Sequence, residues 1–167
     1  MSRLDSFIRR LEGQRDCLKS AVGLIGGLSG PVLEIGLGNG RTYDHLRELC
    51  GGREIFVFDR RIAAHPACVP DEAHLFLGEF ADTMPAAAGR LGQPAALAHA
   101  DIGSGDDAAS RALAARLSGW LAPLMAVGGV IVADQPMAAP GWRPLALPRG
   151  IAKDRYFMFR VAPGDSA

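Results

Sequence analysis

The stretch VLEIGLGNGRTYDHL, residues 32–46, carries an acid, Glu34, and then glycines at 36, 38 and 40. Alternate glycines let a chain turn sharply and let a ligand lie against the backbone with no Cβ in the way. The helix that follows begins with free N–H groups suited to a phosphate or a carboxylate. A dinucleotide fingerprint, G-x-G-x-x-G/A, needs a small residue at position 41. Arg41 stands there. The spacing therefore speaks against nicotinamide-linked redox chemistry, as does the lack of a separate catalytic domain.

Acids recur after other apolar runs. Asp59 closes EIFVFD, Glu79 follows HLFL by one residue, Asp101 closes ALAHAD and Asp134 closes VIVAD. A carboxylate at a rigid strand end accepts two hydroxyl hydrogen bonds at once, as a ribose diol offers. It also serves as a general base, the role open to His99, Asp101 and Asp134 and, more distantly, to Tyr43 and His45. His99 lies inside an apolar strand, where a hydrogen-bonded core histidine is the commoner outcome. A single Asp in such a position is commonly a turn former or a helix cap; five acids on one rim ask for a ligand.

These residues need a scaffold. Leu4, Phe7, Ile8, Leu11, Leu18, Val22 and Ile25 recur at helical spacing, predicting a helix over 3–26 with a break at Gly13. Short apolar runs at 32–35, 54–59, 74–77, 96–101 and 130–134 read as strands. Helices follow around 43–50, weakly over 81–91, and over 113–124 up to Gly128-Gly129, with 60–73, which holds two prolines, as loop or at most a short helix. The tail, 142–147 and 155–162, reads as a hairpin, and the last five residues as frayed. Strands alternating with helices give an α/β fold with a mainly parallel, doubly wound sheet. Ligands of such sheets bind beyond the carboxyl ends of the strands.

The ordered set resembles the class I S-adenosylmethionine-dependent methyltransferases, over roughly residues 30–135. Glu34 with Gly36, Gly38 and Gly40 matches their first motif, and Asp59, 23 residues after Gly36, their ribose-binding acid. Gly78-Glu79-Phe80 matches the third, and Val127-Gly128-Gly129-Val130 the turn before strand five. The resemblance implies a Rossmann-like fold and S-adenosylmethionine as cofactor. It places Glu34, Gly36, Leu37, Gly38, Gly40, Arg41, Thr42, Asp59, Arg60, Glu79, Phe80 and Asp101 around that cofactor. Arg15 is a further candidate for its carboxylate. Asp101, Asp134 and Gln135 also resemble the magnesium site of the catechol O-methyltransferase group, with Gln in place of Asn. A Mg²⁺-dependent O-methyltransferase is thus an alternative, as is a cofactor-binding module without turnover.

The whole chain, 167 residues, reads as one domain: a helical segment 1–28, a cofactor-binding core 30–135 and a hairpin 142–162. Cations and anions balance at 18 each, so no net field draws it to nucleic acid or an anionic membrane. Arg9-Arg10 and Arg60-Arg61 read as solvated pairs, and no Asn-Pro-Pro-Tyr stands after strand four. A small-molecule acceptor is the expectation. The three cysteines form no CxxC and fit reduced thiols in a cytoplasm. No run of 18 apolar residues exists, so no membrane span is expected. The segment 135–141 is too short for a helix before strand six. The loop is a candidate pocket wall; Met137 and Trp142 read first as core or interface filler, with lining that wall as the alternative. The apolar N-terminal helix suggests a homodimer.

Overall fold

A computed structural model describes residues 2–163. Most of the tail expected to fray, 164–167, lies outside the described residues. The elements run α1 (Arg3–Leu24), β1 (Val32–Ile35), α2 (Arg41–Cys50), β2 (Ile55–Asp59), β3 (Leu75–Leu77), α3 (Phe80–Ala86) and α4 (Ala88–Leu91). Then follow β4 (Ala95–Ala100), α5 (Asp107–Leu121), β5 (Met125–Ala133), β6 (Trp142–Pro144) and β7 (Phe157–Val161). The seven strands form one sheet in the order β3-β2-β1-β4-β5-β7-β6. The first five are mutually parallel; β7 runs antiparallel to both β5 and β6. The expected Rossmann-like sheet with its antiparallel C-terminal hairpin is what forms.

The chain winds outward from β1 to β3, then returns to place β4 on the other side of β1. This reversal opens a crevice at the carboxyl ends of β1 and β4. β1 and β4 are buried at every position, as strands covered on both faces must be. One core joins the sheet to α3, α4 and α5 through Met84, Leu117 and Leu121. The other joins it to α1 and α2 through Leu18, Ala21 and Leu46.

Three local expectations are corrected. Gly13 does not break α1, which runs unbroken from a Ser2–Asp5 capping box to Leu24. The glycine is buried where the helix crosses Ile151 and Tyr156, so tertiary packing outweighs its propensity cost of about 1 kcal/mol. Gly128-Gly129 does not close a helix. α5 ends at Leu121, and the glycines lie inside β5, where the register to β4 shifts between Ala95 and Leu97. The weak helix over 81–91 forms as two pieces, α3 and α4. Met137 and Trp142 fill core, as their leading reading expected, and line neither cavity of the crevice described below. Among the described residues no helix is long and apolar enough to cross a membrane.

Candidate functional site

Two cavities flank the crevice. One, of about 300 Å³, is lined by Phe7, Arg10 and Gln14 of α1, the loop Gly36–Asn39, Arg41 and Thr42 of α2, and Asp101. The other, of about 360 Å³, is lined by Arg60, Glu79, Phe80, Ile102 and Trp120, among others. Asp59 ties them together. Its Oδ2 accepts the Gly38 N–H at 3.1 Å, on the first cavity, and the next residue, Arg60, lines the second. Its Oδ1 accepts the Arg61 N–H at 3.1 Å, so two backbone amides fix the carboxylate. Arg60 and Glu79 face each other at 4.0 Å.

The glycines shape the first cavity. Gly36 has φ +89°, and a Cβ there would run into the Asp101 carbonyl; its N–H donates to Phe58 O at 2.8 Å. Gly38 has φ +53° with open space where a Cβ would stand. The loop thus presents bare backbone to the cavity.

A chain of polar contacts crosses beneath this floor. Thr42 Oγ1 donates to Glu34 Oε1. Glu34 Oε2 holds His99 Nδ1 at 2.7 Å, and both side chains are 0% exposed. The Gln14 amide lies 3.5 Å from His99 Nε2 and donates to Asp101 Oδ2 at 2.9 Å. Arg10 Nη2 reaches both Asp101 oxygens, at 2.9 and 2.8 Å. Burial pushes the His99 imidazole toward its neutral form, but the Glu34 carboxylate outweighs it and His99 titrates above the ordinary histidine value. The chain ties β1, β4, α1 and α2 into one unit.

The structure corrects several placements. Glu34 lies under the loop, with both oxygens engaged, and does not line the first cavity. His99 has no surface from which to take a substrate proton. Arg10, still 39% exposed, is paired to Asp101, whereas Arg15 is more exposed and pairs with Asp16 at 2.9 Å. Tyr43 packs into the core and His45 sits on α2 beside Glu48; neither lines either cavity.

Asp134 accepts the Ile102 and Gly103 amides at 3.1 and 2.8 Å and so pins the turn after β4. Burial, and then the Asp101 charge, raise it above the usual carboxylate range. Gln135 turns its Nε2 toward Asp134 at 3.4 Å. The magnesium alternative does not fit this arrangement. Arg10 occupies Asp101, backbone donors occupy Asp134, and the Gln135 amide presents a donor where a cation needs oxygen. Among the described residues no cluster of three His, Cys, Asp or Glu has the geometry for a metal.

Arg10, Gln14 and Tyr156 were missed from the sequence. Phe7, Arg10, Leu11 and Gln14 follow i, i+3, i+4, i+7 spacing, so a single helical stripe signalled the first two. An Arg–Asp pair inside a cavity is the charge complement of an amino acid zwitterion. With a backbone loop, a fixed carboxylate and an adjoining cavity, the residues fit S-adenosylmethionine: amino acid end, ribose and adenine.

Residues 1–161 match the sequence profile of a family described as S-adenosyl-L-methionine methyltransferase. A crystal structure of an S-adenosyl-L-methionine methyl transferase from Silicibacter pomeroyi is 45% identical. The match covers 97% of this chain and 99% of that one, with a TM-score of 0.91. A sugar N-methyltransferase from a Streptoalloteichus species is 20% identical over 87% of this chain and 61% of that one, TM-score 0.52. An rRNA methylase from Streptococcus thermophilus is 11% identical over 92% and 97%, TM-score 0.50. The last two share the fold alone. No curated protein matches the chain.

Proposed function

Because the chain belongs to the S-adenosyl-L-methionine methyltransferase family, we propose that it methylates a small-molecule acceptor from a cofactor laid across the β1–β4 crevice. The observation that carries the reading is the pair of cavities on either side of Asp59, which lines neither but bonds Gly38 of the first and precedes Arg60 of the second, with Arg10 and Asp101 in the first. Asp59 takes the ribose hydroxyls. Arg10, with Arg41 and Thr42 beside it, takes the carboxylate; the Gly36–Leu37 carbonyls take the ammonium, with the Asp101 charge beside them rather than bonded to it. Arg60, Glu79, Phe80 and Ile102 enclose the adenine. Glu34 and His99 are positioning residues, and so is Asp134.

When bound, the cofactor supplies a methyl on a sulfonium, which an acceptor lone pair displaces in line, the C–S electron pair staying on sulfur. The chain's own part is alignment and exclusion of water. His99 is buried, and both Asp101 and Asp134 are engaged by donors, so none of the three stands free as a base. The reading therefore favours an acceptor whose lone pair needs no base in the transfer step, an amine or an ionised oxygen, any surplus proton leaving to water. The balanced charge, 18 of each sign, supports a small acceptor over a nucleic acid.

Calorimetric titration with S-adenosylmethionine and S-adenosylhomocysteine tests the cofactor reading, with micromolar binding of both expected. Excess EDTA should leave affinity and later turnover unchanged, because arginine and amide donors already fill the carboxylates; a Mg²⁺ requirement would overturn that assignment. Absence of binding would sink the cradle itself. The reading includes a homodimer through Leu4, Phe7 and Ile8, which stand 66, 45 and 44% exposed on one end of α1. Sedimentation should give twice the monomer mass, and the monomer mass for Ile8→Glu. A monomeric parent chain would exclude it.

A further inference from the structure

Tyr156 stands one residue before β7, and none of the roles above uses it. β5 pairs Ala133 with Phe157, so the next positions outward on that ladder are Asp134 and Tyr156, at the carboxyl-end rim. The ring lies against α1 where a glycine leaves room: a Cβ at Gly13 would stand 3.9 Å from Tyr156 Cδ2. Arg10 is one helical turn before Gly13, and Gln14 follows it. The residue is 0% exposed. Strand and helix together set the phenol behind the Arg10–Asp101 pair, on the side away from the cofactor cavity, which it does not line.

The hydroxyl is buried without hydrogen-bond geometry to any described residue. Nearly all buried polar atoms are paired, so one that is not asks for a reason. Burial, and then the Asp101 charge, hold the phenol far above the ordinary tyrosine value, partly offset by Arg10. It is thus neutral, able to donate and to accept. Arg10 is its complement. Nη2 of that residue spans both Asp101 oxygens, and among the described residues its Nε and Nη1 bond no acceptor. The Arg10 side chain is partly exposed and lines the cofactor cavity. A long side chain of this kind must be ordered before it can hold a ligand, and that ordering weakens binding. A rigid phenol behind it lowers the cost.

We propose that Tyr156 is a positioning residue for Arg10: its hydroxyl, unpaired in the free chain, accepts an Arg10 N–H when the guanidinium turns to the carboxylate of the cofactor. Asp101 holds the guanidinium through Nη2, Tyr156 backs it, and the remaining N–H groups face the ligand. The free chain therefore carries an unpaired polar atom that only the bound state uses, a local cost of the kind found at functional sites. The inference rests on the cofactor reading and adds to it the group that orders the amino acid end.

Tyr156→Phe keeps the ring and removes the hydroxyl alone. The Tm of the free variant should equal or exceed that of the parent, because an unpaired buried hydroxyl destabilises. Its affinity for S-adenosylhomocysteine, measured by calorimetry, should fall about 10-fold, the worth of one hydrogen bond to a charged group. Affinity for 5′-methylthioadenosine, which has the adenine, ribose and sulfur but no amino acid end, should stay the same. In an Arg10→Ala background, Tyr156→Phe should weaken S-adenosylhomocysteine no further. A merely structural tyrosine would lower the Tm and weaken both ligands alike, and that result overturns the proposal. A full 10-fold loss in the Arg10→Ala background also overturns it, since the hydroxyl would then act without Arg10. A parent chain that binds both ligands, with Tyr156→Phe indistinguishable from it, rejects the role of Tyr156 alone. A parent chain that binds neither rejects the cofactor reading and this role with it.

Discussion

Glu34→Ala is expected to remove about 3–5 kcal/mol of folding stability, the usual cost of breaking a buried pair from one side. His99 would be left without its partner at 0% exposure, and Thr42 without its acceptor. His99→Ala should cost a similar amount by stranding the carboxylate, and the double substitution less than the sum of the two. Denaturant unfolding measures all three. The pH dependence gives a sharper test. His99 titrates above its unfolded value because Glu34 outweighs burial. A raised folded-state pKa means that the native state binds the extra proton. Its stabilisation is complete below about pH 6.5 and is lost as pH rises through the higher folded value. Glu34→Gln keeps the shape and removes the charge. Burial then dominates, so this negative slope of stability against pH should vanish. Parallel curves for the two proteins would show that the pair carries no proton linkage.

This same pair explains what was legible in the sequence. Glu34 and His99 were both visible as polar residues in apolar strands, but their partnership was not. It arises because β1 and β4, 65 residues apart, pair with Glu34 opposite His99. Strand register is a tertiary fact. The strands themselves were legible because a doubly covered strand has no alternation to confuse, and the rim acids because each ends such a run. Gly128-Gly129 misled because glycine commonly closes helices, whereas here it sits in a strand whose register to β4 shifts. Asp101 and Asp134 looked like free bases or metal ligands until their donors were known. Those donors come from Arg10 and Gln14 in a distant helix and from the turn at 102–103. Tyr156 gave no local signal, since its meaning depends on the ladder that sets it beyond Phe157, opposite the end of β5.

Asp59→Ala should weaken S-adenosylhomocysteine binding at least about 10-fold, since a charge-assisted contact is worth roughly 1.5–3 kcal/mol. The carboxylate is fixed before any ligand arrives, by the Gly38 and Arg61 amides, so little ordering cost offsets the gain. The substitution also frees the Gly38 N–H, and a loosened loop would weaken binding by a second route. A ligand lacking the diol separates the two. Against the 2′,3′-dideoxy analogue of S-adenosylhomocysteine, the parent protein should already have lost the contact, and Asp59→Ala should cost little more. If the variant loses as much for the dideoxy ligand as for the natural one, Asp59 acts by shaping the glycine loop and the ribose assignment falls. If it loses only for the natural ligand, the acid at the end of β2 is the group that reads the ribose. That outcome agrees with the proposed orientation, adenine toward Phe80 and amino acid toward Arg10. That orientation leaves the methyl-bearing sulfur between the two cavities, at the rim that Asp101 shares with Asp134 and Tyr156.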